Sequence, residues 1–313
     1  MIFMRYAAFL FLLGLAHPVQ AQLQVESMSP TPEGLQVAAE TAITVQFNQA
    51  VNPETFDARS VMVQGRWSGV VPGTMTFEDN NRRLRFLPDR PFFAGEMVTV
   101  NLARHLESSD GEAMTHGYAW QFWIRTRAAF ADLQETARLP VRTEQEGRIQ
   151  TYGAYAGDLN ADGFSDFIVP NEISQDVRVF MNDGQGNYDE FTIYDLPNGA
   201  RPSTNEGADF NHDGHLDFAV GNSANDQVSV FLGDGTGRLS GPTDYTTDDG
   251  VRGLTLLDAN GDGSIDIATA HRDDGTVRLL LNNGDGTFTV TAAIELRSAT
   301  AITAADANGD GIL

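Results

Sequence analysis

Oxygen-bearing side chains recur through the C-terminal half of the chain in one pattern, D-x-N-x-D-G-x-x-D. It reads DLNADGFSD from Asp158, DFNHDGHLD from Asp209 and DANGDGSID from Asp258, with an incomplete DANGDGIL from Asp306 to Leu313. In a tight loop, alternate residues can turn their side chains to the same side. In the first stretch that brings Asp158, Asn160 and Asp162 together. Gly163 then supplies the positive-φ turn that other residues resist, Phe164 offers a backbone carbonyl, and Asp166 closes the set. Three carboxylates, an amide oxygen and a carbonyl suit Ca²⁺, which takes roughly six to eight oxygen ligands in flexible geometry. Zinc and copper favour imidazole and thiolate, and Mg²⁺ prefers a rigid octahedron that keeps several waters. Without a cation, three like charges in one loop repel.

The elements that must position these loops are strands. An EF-hand needs a carboxylate at position 12 and flanking helices; position 12 here is Val169, Val220 or Thr269. Each loop instead runs into DFIVP, DFAVG or DIATA, apolar and β-branched segments that read as strands. The loop starts are 51, 49 and 48 residues apart. A second element keeps the same phase: VFMNDGQGNY from Val179, VFLGDGTGRL from Val230 and LLLNNGDGTF from Leu279. Its Asp-Gly and Asn-Gly pairs read as plain hairpin turns, a reading also open, with lower weight, for the nine-residue loops. Strands expected over Tyr152–Ala156, Asp166–Val169, Val177–Met181 and Asp189–Tyr194 give four per repeat, which is the content of a β-propeller blade.

This half resembles the FG-GAP/VCBS repeat family, the calcium-loop blades of integrin α-chains and of many secreted bacterial proteins. Carried over by position, the resemblance implies metal ligands Asp158, Asn160, Asp162 and Asp166, with Phe164 through its carbonyl. It implies Asp209, Asn211, Asp213 and Asp217, with the His215 carbonyl, in the second loop. The third would use Asp258, Asn260, Asp262 and Asp266, with the Ser264 carbonyl. In the fourth, Asp306, Asn308 and Asp310 are present, but the closing position lies beyond Leu313. The imidazoles of His212 and His215 are expected to be bystanders. Residues 151–313 thus form three complete repeats and the start of a fourth. Closing a propeller takes at least four blades, so the sequence is expected to be a piece of a longer protein.

Residues 22–127 read differently. Ile43, Val45 and Phe47 alternate with polar residues, as do Val61/Val63, Met75/Phe77, Leu84/Phe86, Val98/Val100/Leu102 and Trp120/Phe122/Ile124. That is the period of half-buried strands, and Asp79-Asn80-Asn81 is turn chemistry between two of them. Six or seven short strands predict a small β-sandwich. Trp120 and Trp123 fall on opposite faces of their strand. The stretches SPTPEG, AITVQFNQAVNPETF, RLRFLPDRPFFAGEMVTVNL and WQFWIRT resemble the bacterial Ig-like domains first described in surface-layer proteins, which implies a spacer or adhesive role. Residues 128–150 read as a linker that includes a short helical pattern stopped by Pro140. The fold class expected is all-β: an Ig-like β-sandwich followed by a partial, truncated β-propeller of four-stranded blades.

Residues 1–21 pair Arg5 with a short apolar run, Tyr6–Ala16, and small residues at Val19 and Ala21. The run is too short for a bilayer span, which needs about twenty residues, and it matches a cleavable secretory signal. The chain is therefore expected to be secreted or held at the cell surface, with no membrane insertion after signal cleavage. The 313 residues carry a net charge of −23, and all 20 basic residues are arginine. Residues 151–313 alone hold 27 acids and seven arginines. That balance opposes nucleic-acid binding, which needs a cationic footprint. The absence of cysteine excludes disulfides and thiolate chemistry. No G-x-S-x-G or H-E-x-x-H occurs, so the function expected is non-catalytic: a calcium-binding scaffold or adhesion module for a protein or glycan ligand at the cell surface. The alternatives are a calcium-dependent propeller enzyme acting on polysaccharide and a propeller lectin.

Overall fold

The computed structural model describes residues 22–127, 135, 138–188 and 190–305. Both the signal-like segment and the fourth loop, with Asp306, Asn308 and Asp310, lie outside the described residues, as does most of the helical pattern after Arg127.

The first domain is a two-sheet sandwich. One sheet takes the order β1-β3-β7-β6, from β1 (Val25–Ser29), β3 (Ile43–Phe47), β7 (Arg83–Pro88) and β6 (Gly73–Glu78). The other runs β2-β9-β8-β4-β5, from β2 (Gly34–Val37), β9 (Tyr118–Ile124), β8 (Met97–Leu102), β4 (Val61–Gly65) and β5 (Gly69–Val70). All six alternating runs fall in strands and send their apolar set inward. Phe47, Val98, Val100, Leu102 and Phe122 are fully enclosed between the sheets. Trp120 is buried and its indole N–H donates to the Pro30 carbonyl at 3.1 Å. Trp123, on the opposite face, is half-buried. The β6–β7 hairpin turns through Asp79, Asn80 and Asn81, all at positive φ, a conformation that short polar side chains tolerate. Strands β1, β2 and β5 lack the alternation. Of these, β2 is held by parallel pairing to β9, a long-range contact that leaves no local pattern.

The repeats form three antiparallel sheets that share their apolar faces. The first is β10 (Tyr155–Gly157), β11 (Asp166–Asn171), β12 (Asp176–Phe180) and β13 (Thr192–Asp195). The second is β14 (Pro202–Ala208), β15 (Asp217–Asn222), β16 (Gln227–Phe231) and β17 (Thr243–Thr246). The third is β18 (Val251–Leu257), β19 (Asp266–His271), β20 (Thr276–Asn282) and β21 (Phe288–Val290), with β22 (Ile294–Glu295) also pairing β20. The first two sheets have the expected four strands in the expected order, and the third adds a fifth, β22. The first sheet is shifted by a few residues: its inner strand is only Tyr155–Gly157 and its outer one begins at Thr192. Among the described residues no sheet closes on itself.

Every residue of β15 and β19 is buried, as befits a short apolar run covered on both faces. Ile168, Val179, Leu216, Phe218 and Phe231 form one core between the first two blades. Phe210, Val230, Ile267, Leu280 and Phe288 form the next. Met62 of β4 enters that second core, so the sandwich is seated on the blades. The C-terminal part of the linker is also docked rather than free. The buried Arg178 guanidinium forks onto Asp176 and Glu146, at 2.7 and 2.6 Å, and donates to the Val141 carbonyl at 2.8 Å. Its hydrogen bonds hold the Glu146 carboxyl down at about 2.

Candidate metal loops

Each nine-residue loop is a hairpin corner between the inner strand of a blade and the strand after it. The three described loops use one hydrogen-bond scheme. The first Asp accepts N–H groups from positions 5 and 6: Asp158 from Asp162 and Gly163, both at 3.0 Å; Asp209 from Asp213 and Gly214, at 3.2 and 2.9 Å; Asp258 from Asp262 and Gly263, at 3.1 and 2.9 Å. The Asn at position 3 accepts the same position-5 N–H, and its amide donates to the position-5 carboxylate at 2.9 Å in every loop. The position-5 Asp accepts the N–H of Phe164, His215 or Ser264. Glycine at position 6 has φ near +90° in all three. Side chains 1, 3 and 5 are thus brought into one cluster, as their spacing predicts.

The ninth Asp takes its hydrogen bonds from other backbone groups. Asp166, Asp217 and Asp266 are fully buried at the start of the second strand. One oxygen accepts an N–H from position 2 of its own loop, from Leu159, Phe210 or Ala259, at 2.7 to 2.9 Å. The other accepts the N–H of Asn182, Gly233 or Asn282, at 2.8 Å. Those three residues begin the turns of the second repeated element. That element is a hairpin turn, as read, and it is also the second anchor of the closing carboxylate. Its exact phase with the loops was the visible signal for this pairing.

Among the described residues no group of three or more His, Cys, Asp or Glu side chains is placed to hold a metal ion by itself. A cation in these loops therefore has to draw on the Asn amide oxygen and on backbone carbonyls as well, an all-oxygen set of the kind Ca²⁺ uses. The electrostatics fit such a guest. Burial, with smaller contributions from the two other carboxylates of the loop, pushes Asp166 up to about 6 and Asp217 and Asp266 up to about 7. No arginine or histidine among the described residues forms an ion pair with these three.

Phe164 is exposed, whereas the Ser264 hydroxyl lies 3.3 Å from His212 Nε2 and joins the second loop to the third. Burial pushes the His212 imidazole below its ordinary value.

The sandwich covers these loops. Asp158 donates its N–H to the Trp67 carbonyl at 2.8 Å, and Arg104 donates to Gly261 of the third loop at 2.8 Å. Leu216 of the second loop faces Gly69 of β5. Farther along the contact, Gln64 donates to the Gly207 carbonyl at 2.9 Å, Arg66 pairs with Glu206 at 3.2 Å, and the Tyr155 hydroxyl donates to the Arg66 carbonyl at 2.9 Å.

Sequence comparison agrees with this two-part organisation. Residues 19–123 match the model of the bacterial Ig-like domain. Residues 158–220, 209–269 and 258–313 match the FG-GAP-like repeat. The chain is 36% identical over 113 residues to integrin alpha-PS5 of Drosophila melanogaster, a match covering 32% of this chain and 11% of that protein. Among solved structures, PcoC, a methionine-rich copper resistance protein of Escherichia coli, aligns at 14% identity and a TM-score of 0.28, covering 34% of this chain and all of that one. A 6-phosphogluconolactonase-like protein of Bacteroides fragilis aligns at 11% identity and a TM-score of 0.37, covering 86% and 95%. Likenesses this slight say nothing about activity. The repeat matches follow the three loop spacings and the Ig-like match follows the sandwich: the chain is a bacterial Ig-like domain followed by three FG-GAP-like repeats.

Proposed function

We propose that this chain is an exported, non-catalytic calcium-binding module that serves adhesion or scaffolding at the cell surface. Ig-like domains and FG-GAP-like repeats are typical of surface and adhesion proteins, and the integrin relative is in keeping with that setting. The observation that carries the calcium reading is the burial of Asp166, Asp217 and Asp266 beside two further carboxylates each, with no ion pair to any of the three among the described residues. Asp158, Asn160, Asp162 and Asp166, with the Phe164 carbonyl, would hold Ca²⁺ in the first loop. The second would use Asp209, Asn211, Asp213, Asp217 and the His215 carbonyl, and the third Asp258, Asn260, Asp262, Asp266 and the Ser264 carbonyl. Bound there, Ca²⁺ supplies positive charge to a crowded set of carboxylates and performs no reaction. The chain's own contribution is to fix three hairpin corners, so that blades and sandwich present a stable surface to a protein or glycan partner.

Calcium titration followed by thermal melting tests this. Calcium at millimolar concentration should raise the melting temperature, and Asp213→Ala should remove part of the rise. A melting temperature indifferent to calcium, in the natural chain and in Asp213→Ala alike, overturns it.

A further inference from the structure

One loop differs from the other two. Arg90, which follows β7 in the sandwich, reaches across to the first loop and places Nη1 2.6 Å from Asp158 Oδ2. Its other terminal nitrogen donates to the Ser68 carbonyl at 2.7 Å, so the guanidinium is fixed from both domains. The Asp158 side chain is wholly enclosed. The Trp67-Ser68 turn beneath is itself pinned, because buried Glu96 accepts both of its N–H groups at 3.0 Å and the Ser68 hydroxyl at 2.9 Å. Among the described residues, the equivalent Asp209 and Asp258 side chains receive hydrogen bonds from loop N–H groups alone. Among the described residues no arginine forms an ion pair with any carboxylate of the second or third loop.

We infer that Arg90 makes the first loop the low-affinity calcium site of the three, and that filling it works against the seating of the Ig-like domain on the blades. The inference rests on the calcium reading above. Calcium affinity in oxygen-ligand loops follows the charge of the ligand set. Arg90 lowers that charge from three negatives to two in the first loop only. At water-like screening, one added positive charge beside a divalent ion weakens its binding on the order of tenfold. Linkage makes the effect reciprocal: whatever Arg90 costs the metal, the metal costs the Arg90 contact. Falling calcium would therefore release the first loop before the others and tighten the sandwich onto it. The second and third loops would go on holding their blades.

Calorimetric titration of the full chain with CaCl₂ tests this through binding alone. The natural chain should show two tighter steps and one about tenfold weaker. Asp162→Ala should delete the weak step, and Asp213→Ala or Asp262→Ala a tight one. Arg90→Gln should tighten the weak step about tenfold, whereas Arg90→Lys, which keeps the charge, should leave it within about twofold. Three equal steps, or loss of a tight step in Asp162→Ala, overturn the inference while leaving the calcium reading intact. These outcomes do not depend on how Arg90→Gln folds. A natural chain that takes up no calcium overturns both.

Discussion

The two halves of the molecule bury carboxylates in opposite ways. In the sandwich, Glu96 is fully enclosed but surrounded by donors: the N–H groups of Trp67, Ser68 and Phe93 and the Ser68 hydroxyl. A buried charge satisfied in this manner fixes a turn and needs nothing from solution. In the blades, Asp166, Asp217 and Asp266 are equally enclosed, yet each has two backbone N–H groups and two neighbouring carboxylates. The first arrangement is complete within the chain, and the second invites a cation. On the calcium reading proposed above, the sandwich should be equally stable with and without calcium, and the blades should gain stability from it.

The largest effect that sharpens this contrast lies in the sandwich core. Trp120→Ala removes a buried indole and its bond to Pro30; it should cost about 3–5 kcal/mol. Measured by chemical denaturation, that loss should be the same with calcium or with EGTA.

Next comes Arg178→Ala. It leaves Asp176 buried without its partner and unpins residues 141–146 from the first blade. A loss of about 3 kcal/mol is expected, with new proteolytic cleavage between Leu139 and Gly147.

A pH series breaks the comparison if it is wrong. The folded-state values of Asp166, Asp217 and Asp266 are raised from 3.8 to about 6 or 7, so the calcium-free fold binds protons more tightly than the unfolded chain does. Their unfavourable contribution is absent below about pH 4, grows as the pH rises, and is complete above about pH 7. Without calcium, the melting temperature of the blades should therefore fall across that window. With calcium the fall should shrink, because the cation replaces the proton.

The smallest effect is local: Gly214→Ala forces a side chain onto φ +86°, and about 1 kcal/mol of destabilisation is expected. It should appear in the melting temperature with and without calcium.

Much of the architecture was legible because it repeats. Fixed spacing exposed the loops, and apolar runs bounded by turn residues exposed the central strands. The paired phase of the two repeated elements marked one blade per unit. Contacts between distant segments were not legible in that way. Arg90 and Asp158 lie 68 residues apart, and nothing in FLPDRPFF distinguishes an arginine that bridges two domains from one in solvent. The bond from Asp166 to the Asn182 N–H left only the shared phase of the two repeated elements as its trace, since a backbone donor has no signature in residue type. Glu146 stood in a stretch that reads as a linker, and its ion pair with the buried Arg178 of β12 docks that stretch together with the backbone bonds of Ile149 and Gln150 to the first blade.

Hydrogen exchange of the full chain, resolved by peptide and measured at pH 7 with calcium and with EGTA, asks most directly whether the nine-residue loops hold calcium. Calcium should slow exchange at the position-5 and position-6 amides, Asp162/Gly163, Asp213/Gly214 and Asp262/Gly263, and at the Asn182, Gly233 and Asn282 anchors. Strands β3, β7 and β9 of the sandwich should exchange at the same rate in both conditions. Loop amides that exchange equally fast with calcium and with EGTA would contradict the calcium reading.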